Sequence, residues 1–118
     1  MTEKSWLIPM FKAIDSKDTA QFMTFLDSAC LFRFGNSPSV QGKENIKIAI
    51  NQFFESIASV SHSITDAWDI PGGIVCHGEV SYTRKDGIYL MLPFANILLG
   101  ADKNITNYLV FVDTSNLF

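Results

Sequence analysis

The chain has 118 residues, a length that suits one domain with a core large enough to need no cross-links. Hydrophobic residues make up 47% and charged residues 18%, which excludes a disordered chain. A net charge of −3 without a basic cluster excludes a phosphate-neutralising surface, so nucleic acid is not an expected partner.

No apolar run reaches bilayer length, and Met1-Thr2-Glu3-Lys4-Ser5-Trp6 carries no targeting pattern. No membrane partner and a cytoplasmic address are therefore expected. Cys30 and Cys76 stand far apart and read as reduced, buried small residues. In chain order, Trp6, Leu7, Met10, Phe11 and Ile14 recur at helical spacing, and Pro9 marks either a first turn or a kink. Asp15-Ser16-Lys17-Asp18 breaks the pattern. Asp18, with Gln21 three residues later, resembles a capping box that opens a second helix. Residues 29–34 read as a short strand, and Gly35-Asn36-Ser37-Pro38-Ser39 as a loop. A third helix spans about residues 43–58, with Ile46, Ala49, Ile50, Phe53 and Ile57 in register.

The period then changes to two. Strands are predicted over 62–70, 74–84, 88–99 and 105–113, with turns at Pro71-Gly72-Gly73 and Lys85-Asp86-Gly87 and a loop from Gly100 to Asn104. Helices first and a strand meander later predict the α+β class. The expected architecture is a single domain over 1–118, a curved antiparallel sheet wrapped around N-terminal helices and enclosing a pocket.

A three-residue turn after Ile70 would pair Ile70 with Ile74, Trp68 with Cys76, Asp66 with Gly78, Ile64 with Val80 and His62 with Tyr82. That set is expected to cover the helices. The more polar opposite set, including Ser63, Thr65, His77 and Glu79, is expected to face out. Strand 88–99 is apolar on both faces. A second subunit is the simplest cover for its outer face, so a homodimer through the outer sheet face is expected.

Several stretches resemble SnoaL-like proteins of the nuclear transport factor 2-like superfamily. They are Asp27-Ser28-Ala29-Cys30-Leu31-Phe32-Arg33-Phe34-Gly35, Val40-Gln41-Gly42-Lys43-Glu44-Asn45-Ile46, and His62-Ser63-Ile64-Thr65-Asp66-Ala67-Trp68. Residues 78–87, Leu92-Pro93-Phe94 and Val112-Asp113 continue the pattern. The resemblance spans nearly the whole chain and rests on order and spacing rather than on one short motif. It implies a cone-shaped α+β barrel with an apolar pocket, usually a homodimer. Ketosteroid isomerases, polyketide cyclases, epoxide hydrolases, dehydratases and proteins that only bind share this fold, so the fold leaves the reaction open.

Known catalytic sets of the superfamily test poorly. By segment alignment the isomerase tyrosine position falls on Met10, the base position on Arg33 and the oxyanion acid position on or beside Ala95. Met10 and Ala95 cannot donate to an oxyanion, and Arg33 cannot act as a base. The epoxide hydrolase set is met only at Asp113. His77-x-Glu79 has comparable chemistry on the face expected to point out.

The candidates that remain are few. Asp66, on the face expected inward, would be a carboxylate acid or base in an apolar pocket. His62 and Tyr82, expected as cross-strand neighbours, would either shuttle a proton or close the cone mouth as a pair. Asp113 is either catalytic by resemblance or a strand-end cap. Arg33 either points inward to hold an anionic ligand or lies outward beside Phe32 and Phe34. Trp6, Met10, Phe34, Phe54 and Trp68 are expected at the pocket lining, which is continuous with the core. No metal and no cofactor are expected. The leading reading is a pocket for a small, largely apolar or carbonyl-bearing molecule with acid–base chemistry; the other is a non-catalytic binding or interaction module.

Overall fold

The structure, a computed structural model, describes residues 4–118. Met1-Thr2-Glu3, part of the stretch read for targeting, lies outside the described residues. Helix α1 (Leu7–Asp15) buries Leu7, Met10, Phe11 and Ala13. Pro9 sits in its first turn, where a missing N–H breaks no helical bond, so the helix starts there and is not kinked. Its end is a Schellman motif. Lys17 takes φ 55°, and the N–H groups of Lys17 and Asp18 donate to the carbonyls of Ile14 and Ala13. Helix α2 (Thr19–Met23) follows at once, with Asp18 Oδ1 accepting from Gln21 N at 3.1 Å.

Strand β1 (Leu26–Phe34) is longer than the sequence suggested, and a short β2 (Val40–Gln41) pairs with it. Helix α3 (Lys43–Ser56) buries Ile46, Ile50 and Phe54. It ends two residues early because Ile57 is already extended, fully buried and paired with Arg84. Strands β3 (Ile57–Ile70), β4 (Gly73–Arg84), β5 (Tyr89–Ala101) and β6 (Asn104–Val112) complete one six-stranded sheet in the order β2-β1-β6-β5-β4-β3. The α+β expectation holds. One pair departs from an antiparallel sheet: β1 runs parallel to β6, because the meander returns to it only after α3.

The first hairpin corrects the predicted register. Its turn has two residues, Pro71 and Gly72, so Ile70 pairs with Gly73 rather than Ile74. Ala67 therefore pairs with Cys76, Trp68 with Val75 and Asp66 with His77. Buried Ala67 and Cys76 mark the inner face there, so Asp66 and Trp68 point outward with His77, not inward. A bulge between Ile64 and Asp66 then absorbs one residue. Beyond it Ile64 faces Gly78, His62 faces Val80 and Val60 faces Tyr82. His62 thus returns to the inner face, diagonal to Tyr82 rather than opposite it.

Candidate functional site

The inner face of the sheet and helix α3 enclose a cavity of about 330 Å³. Its wall is largely apolar, built from Phe22, Phe32, Ile50, Phe54, Val80, Phe94 and Val110, with Phe34, Phe53 and Phe118 also on it. Four polar side chains from the sheet join this lining: His62, Tyr82, Asn96 and Tyr108.

His62 is held from two sides. Its Nδ1 lies 2.6 Å from Asp15 Oδ1, and its backbone N–H donates to Asp15 Oδ2 at 2.9 Å. Asp15 is the last residue of α1. The helix end is fixed there by the Schellman motif and by Lys17 Nζ, which donates to the Ile57 carbonyl at 2.7 Å. Chain termination and docking on β3 therefore place the carboxylate under His62. Phe11 and Phe94 flank the imidazole at 4.8 and 5.2 Å between ring centres. A carboxylate on Nδ1 fixes that nitrogen as the protonated one. Nε2 makes no protein hydrogen bond among the described residues and is left to take or give a proton.

Tyr82 is buried and packs edge-on against Phe53 at 5.9 Å. Burial, with the charge of Asp15, raises its phenol well above the ordinary value, so it stays a neutral donor at physiological pH. Asn96 is the buried polar residue among the described residues. Its Nδ2 donates to Tyr108 Oη over a long 3.4 Å. Burial first, then the neighbouring Cys76 and Tyr82, raises the Tyr108 phenol well above its usual range, and it too keeps its proton.

The other sequence candidates lie elsewhere. Asp66 is half-buried on the outer face, where its Oδ1 accepts from Ala67 N at 2.8 Å. Trp68 stacks on His77 at 5.5 Å on that same face. Arg33 pairs in register with Leu109 and sits over Phe111 at 5.3 Å, the outward alternative. Asp113 is exposed just past β6. Its Oδ1 accepts from Ser115 N at 3.0 Å, and the bonds to Ser115 lower its carboxyl. It is the strand-end cap rather than a pocket acid. Met10 is fully buried in the core, and Trp6 packs against that core; neither lines the cavity. Phe34 and Phe54 do line it. No group of three or more His, Cys, Asp or Glu among the described residues is arranged to hold a metal ion.

Sequence reasoning missed Asp15, Asn96 and Tyr108. Asp15 had one signal: an acidic residue at a helix C-terminus opposes the helix dipole, and such local conflicts gather at functional sites. Asn96 had another, as a lone amide in a strand otherwise apolar on both faces.

No family model matches the chain. No curated protein matches it either. Solved structures do. A hypothetical protein with a ketosteroid isomerase-like fold from Catenulispora acidiphila, solved in complex with trimethylamine, superposes with a TM-score of 0.88. It is 15% identical, and the match covers 98% of this chain and 91% of that one. An NTF2-like protein of unknown function from Burkholderia pseudomallei gives 0.83 at 14% identity, covering 98% and 94%. A candidate SnoaL-like polyketide cyclase from Shewanella putrefaciens gives 0.77 at 14% identity, covering 90% and 76%. At such identities the likeness is one of fold. The resemblance read from the sequence is confirmed at that level: this chain has the cone-shaped α+β fold of SnoaL-like and NTF2-like proteins.

Proposed function

We propose that the cavity binds a small, largely apolar, carbonyl-bearing molecule and performs cofactor-free acid–base chemistry on it, of the isomerase, cyclase or hydratase type. The observation that carries this is the Asp15–His62 pair at the wall of an apolar cavity. It supplies an oriented imidazole with Nε2 open. In this reading His62 Nε2 removes a proton next to the ligand carbonyl. Tyr82, diagonal to it, donates to the oxygen that gains charge, and the apolar wall keeps water from competing. Asp15 holds the ring and its tautomer. Asp66, Asp113 and Arg33 have no part in it.

The proposal extends to a homodimer through the outer sheet face and to a cytoplasmic setting. Exposed Met91, Tyr89 and Phe111 on that face support the first, and two free, buried cysteines agree with the second. No helix among the described residues is long and apolar enough to cross a membrane.

The chemistry is tested with a panel of cyclic ketones and lactones in deuterated buffer. Thermal shift finds those that bind, and proton NMR follows exchange of the hydrogen next to the carbonyl. Wild type is expected to exchange at least one binder, and His62→Gln to slow this about 100-fold or more. Binding without exchange would leave a non-catalytic binding module. Binding by none would remove the small-molecule reading.

A further inference from the structure

The acid–base reading leaves two of the four polar side chains that the sheet contributes to the cavity unused. Asn96 is 1% exposed and Tyr108 2%, and both line the cavity. Rings of Phe22 and Phe32 lie 5.4 Å from that of Tyr108, and nothing about this packing calls for polar atoms. Yet Asn96 Oδ1 is buried with no hydrogen-bond partner among the described residues. Buried amide oxygens in folded proteins are nearly always satisfied, and an orphan facing a cavity calls for a donor from outside the chain.

The inventory of the pair specifies what would complete it. Tyr108 Oη accepts from Asn96 Nδ2 and keeps its own proton to give. Asn96 Oδ1 needs a donor. A hydroxyl is a single ligand group that can both accept from a phenol and donate to an amide oxygen. We propose that the cavity wall at Asn96 and Tyr108 binds a hydroxyl group of the ligand, which donates to Asn96 Oδ1 and accepts from Tyr108 Oη.

Register adds the spacing. Through Val80, His62 is level with Leu92 on β5, and Asn96 lies four residues further along that strand. At about 4.8 Å per strand and 3.3 Å per residue, the two backbones are roughly 16 Å apart. The ligand class that follows is an apolar, ring-sized body with two polar ends. A carbonyl lies near His62 and Tyr82, and a hydroxyl near Asn96 and Tyr108. This rests on the cavity being a small-molecule site, as proposed above.

The test compares 2-naphthol, 2-methoxynaphthalene and naphthalene by calorimetric titration. They share one apolar body and offer donor plus acceptor, acceptor only, or neither. Wild type is expected to bind the naphthol about tenfold more tightly than the ether. Asn96→Leu should reduce naphthol affinity to that of the ether and leave the ether unchanged. Tyr108→Phe should weaken both relative to naphthalene. Equal binding of naphthol and ether to wild type, or a preference that survives Asn96→Leu, overturns the hydroxyl assignment while the cavity reading stands. If none of the three binds wild type, the hydroxyl assignment falls, and the ketone and lactone panel decides the cavity reading. Thermal melts establish that the variants fold; if Asn96→Leu does not, the wild-type preference and Tyr108→Phe decide.

Discussion

Asp15 shows how one residue can be poorly placed for its helix and well placed for a site. At the C-terminus of α1 its charge meets the negative end of the helix dipole, at a cost of about 0.5 kcal/mol. Two hydrogen bonds to His62, at 2.6 and 2.9 Å, offset that cost. The amide in Asp15→Asn would keep the shape and one acceptor, while removing both the charge and the conflict with the dipole. The expected result is a near-neutral change in stability, within about 1 kcal/mol by urea titration. Proton exchange on any ligand turned over by wild type should nevertheless fall at least about tenfold, because the imidazole loses the carboxylate that fixes its tautomer and orientation. A variant that keeps wild-type exchange would remove Asp15 from any positioning role.

Among the elements, the β3–β4 hairpin decides which side chains reach the cavity, and its glycines report how tightly it is built. A Cβ at Gly78 would lie 1.9 Å from the Ser63 carbonyl oxygen, next to the bulge, where both strands' backbones would have to move. At Gly72 nothing lies within 4 Å, but φ is +77°. Gly78→Ala is therefore expected to cost about 3 kcal/mol or more and Gly72→Ala about 1 kcal/mol, measured by denaturant unfolding. Equal losses would mean that the close approach at Gly78 is not a constraint. The same hairpin marks what was legible in the sequence. Trp6 to Ile14, Lys43 to Ser56 and the period-two segments announced the helices and strands, because burial imposes those periods. Pro71-Gly72-Gly73 permits a two- or a three-residue turn equally well, and nothing local announces a bulge at Thr65. Between the turn and the bulge, Asp66 and Trp68 were assigned to the wrong face. His62 was assigned to the correct face because the two one-residue offsets add to two, which restores the face but moves its partner from Tyr82 to Val80. Asp15 stayed hidden for another reason: its partner lies 47 residues away, a juxtaposition that only the tertiary fold creates.

For the molecule as a whole, the proposed dimer rests on the outer face of the sheet. Met91 is 53% exposed and Tyr89 58% on β5, with Phe111 44% exposed on β6. Ala95 pairs with Phe111 and Ile97 with Leu109, which makes the apolar surface continuous across both strands. Single exposed apolar side chains are ordinary on a monomer, whereas a row of them across two strands is a surface that water disfavours. A two-fold axis would let the same row cover its own copy, the closed and self-complementary solution. Light scattering on size-exclusion fractions at tens of micromolar is therefore expected to give twice the 13.2 kDa chain mass. Met91→Glu should shift it toward the single-chain mass. Because Met91 is already half in water, the substitution leaves the isolated fold intact, and the melting temperature at low concentration should change little. A wild type that runs as a single chain at that concentration would rule out the dimer. A Met91→Glu variant that stays fully dimeric would move the interface off this face.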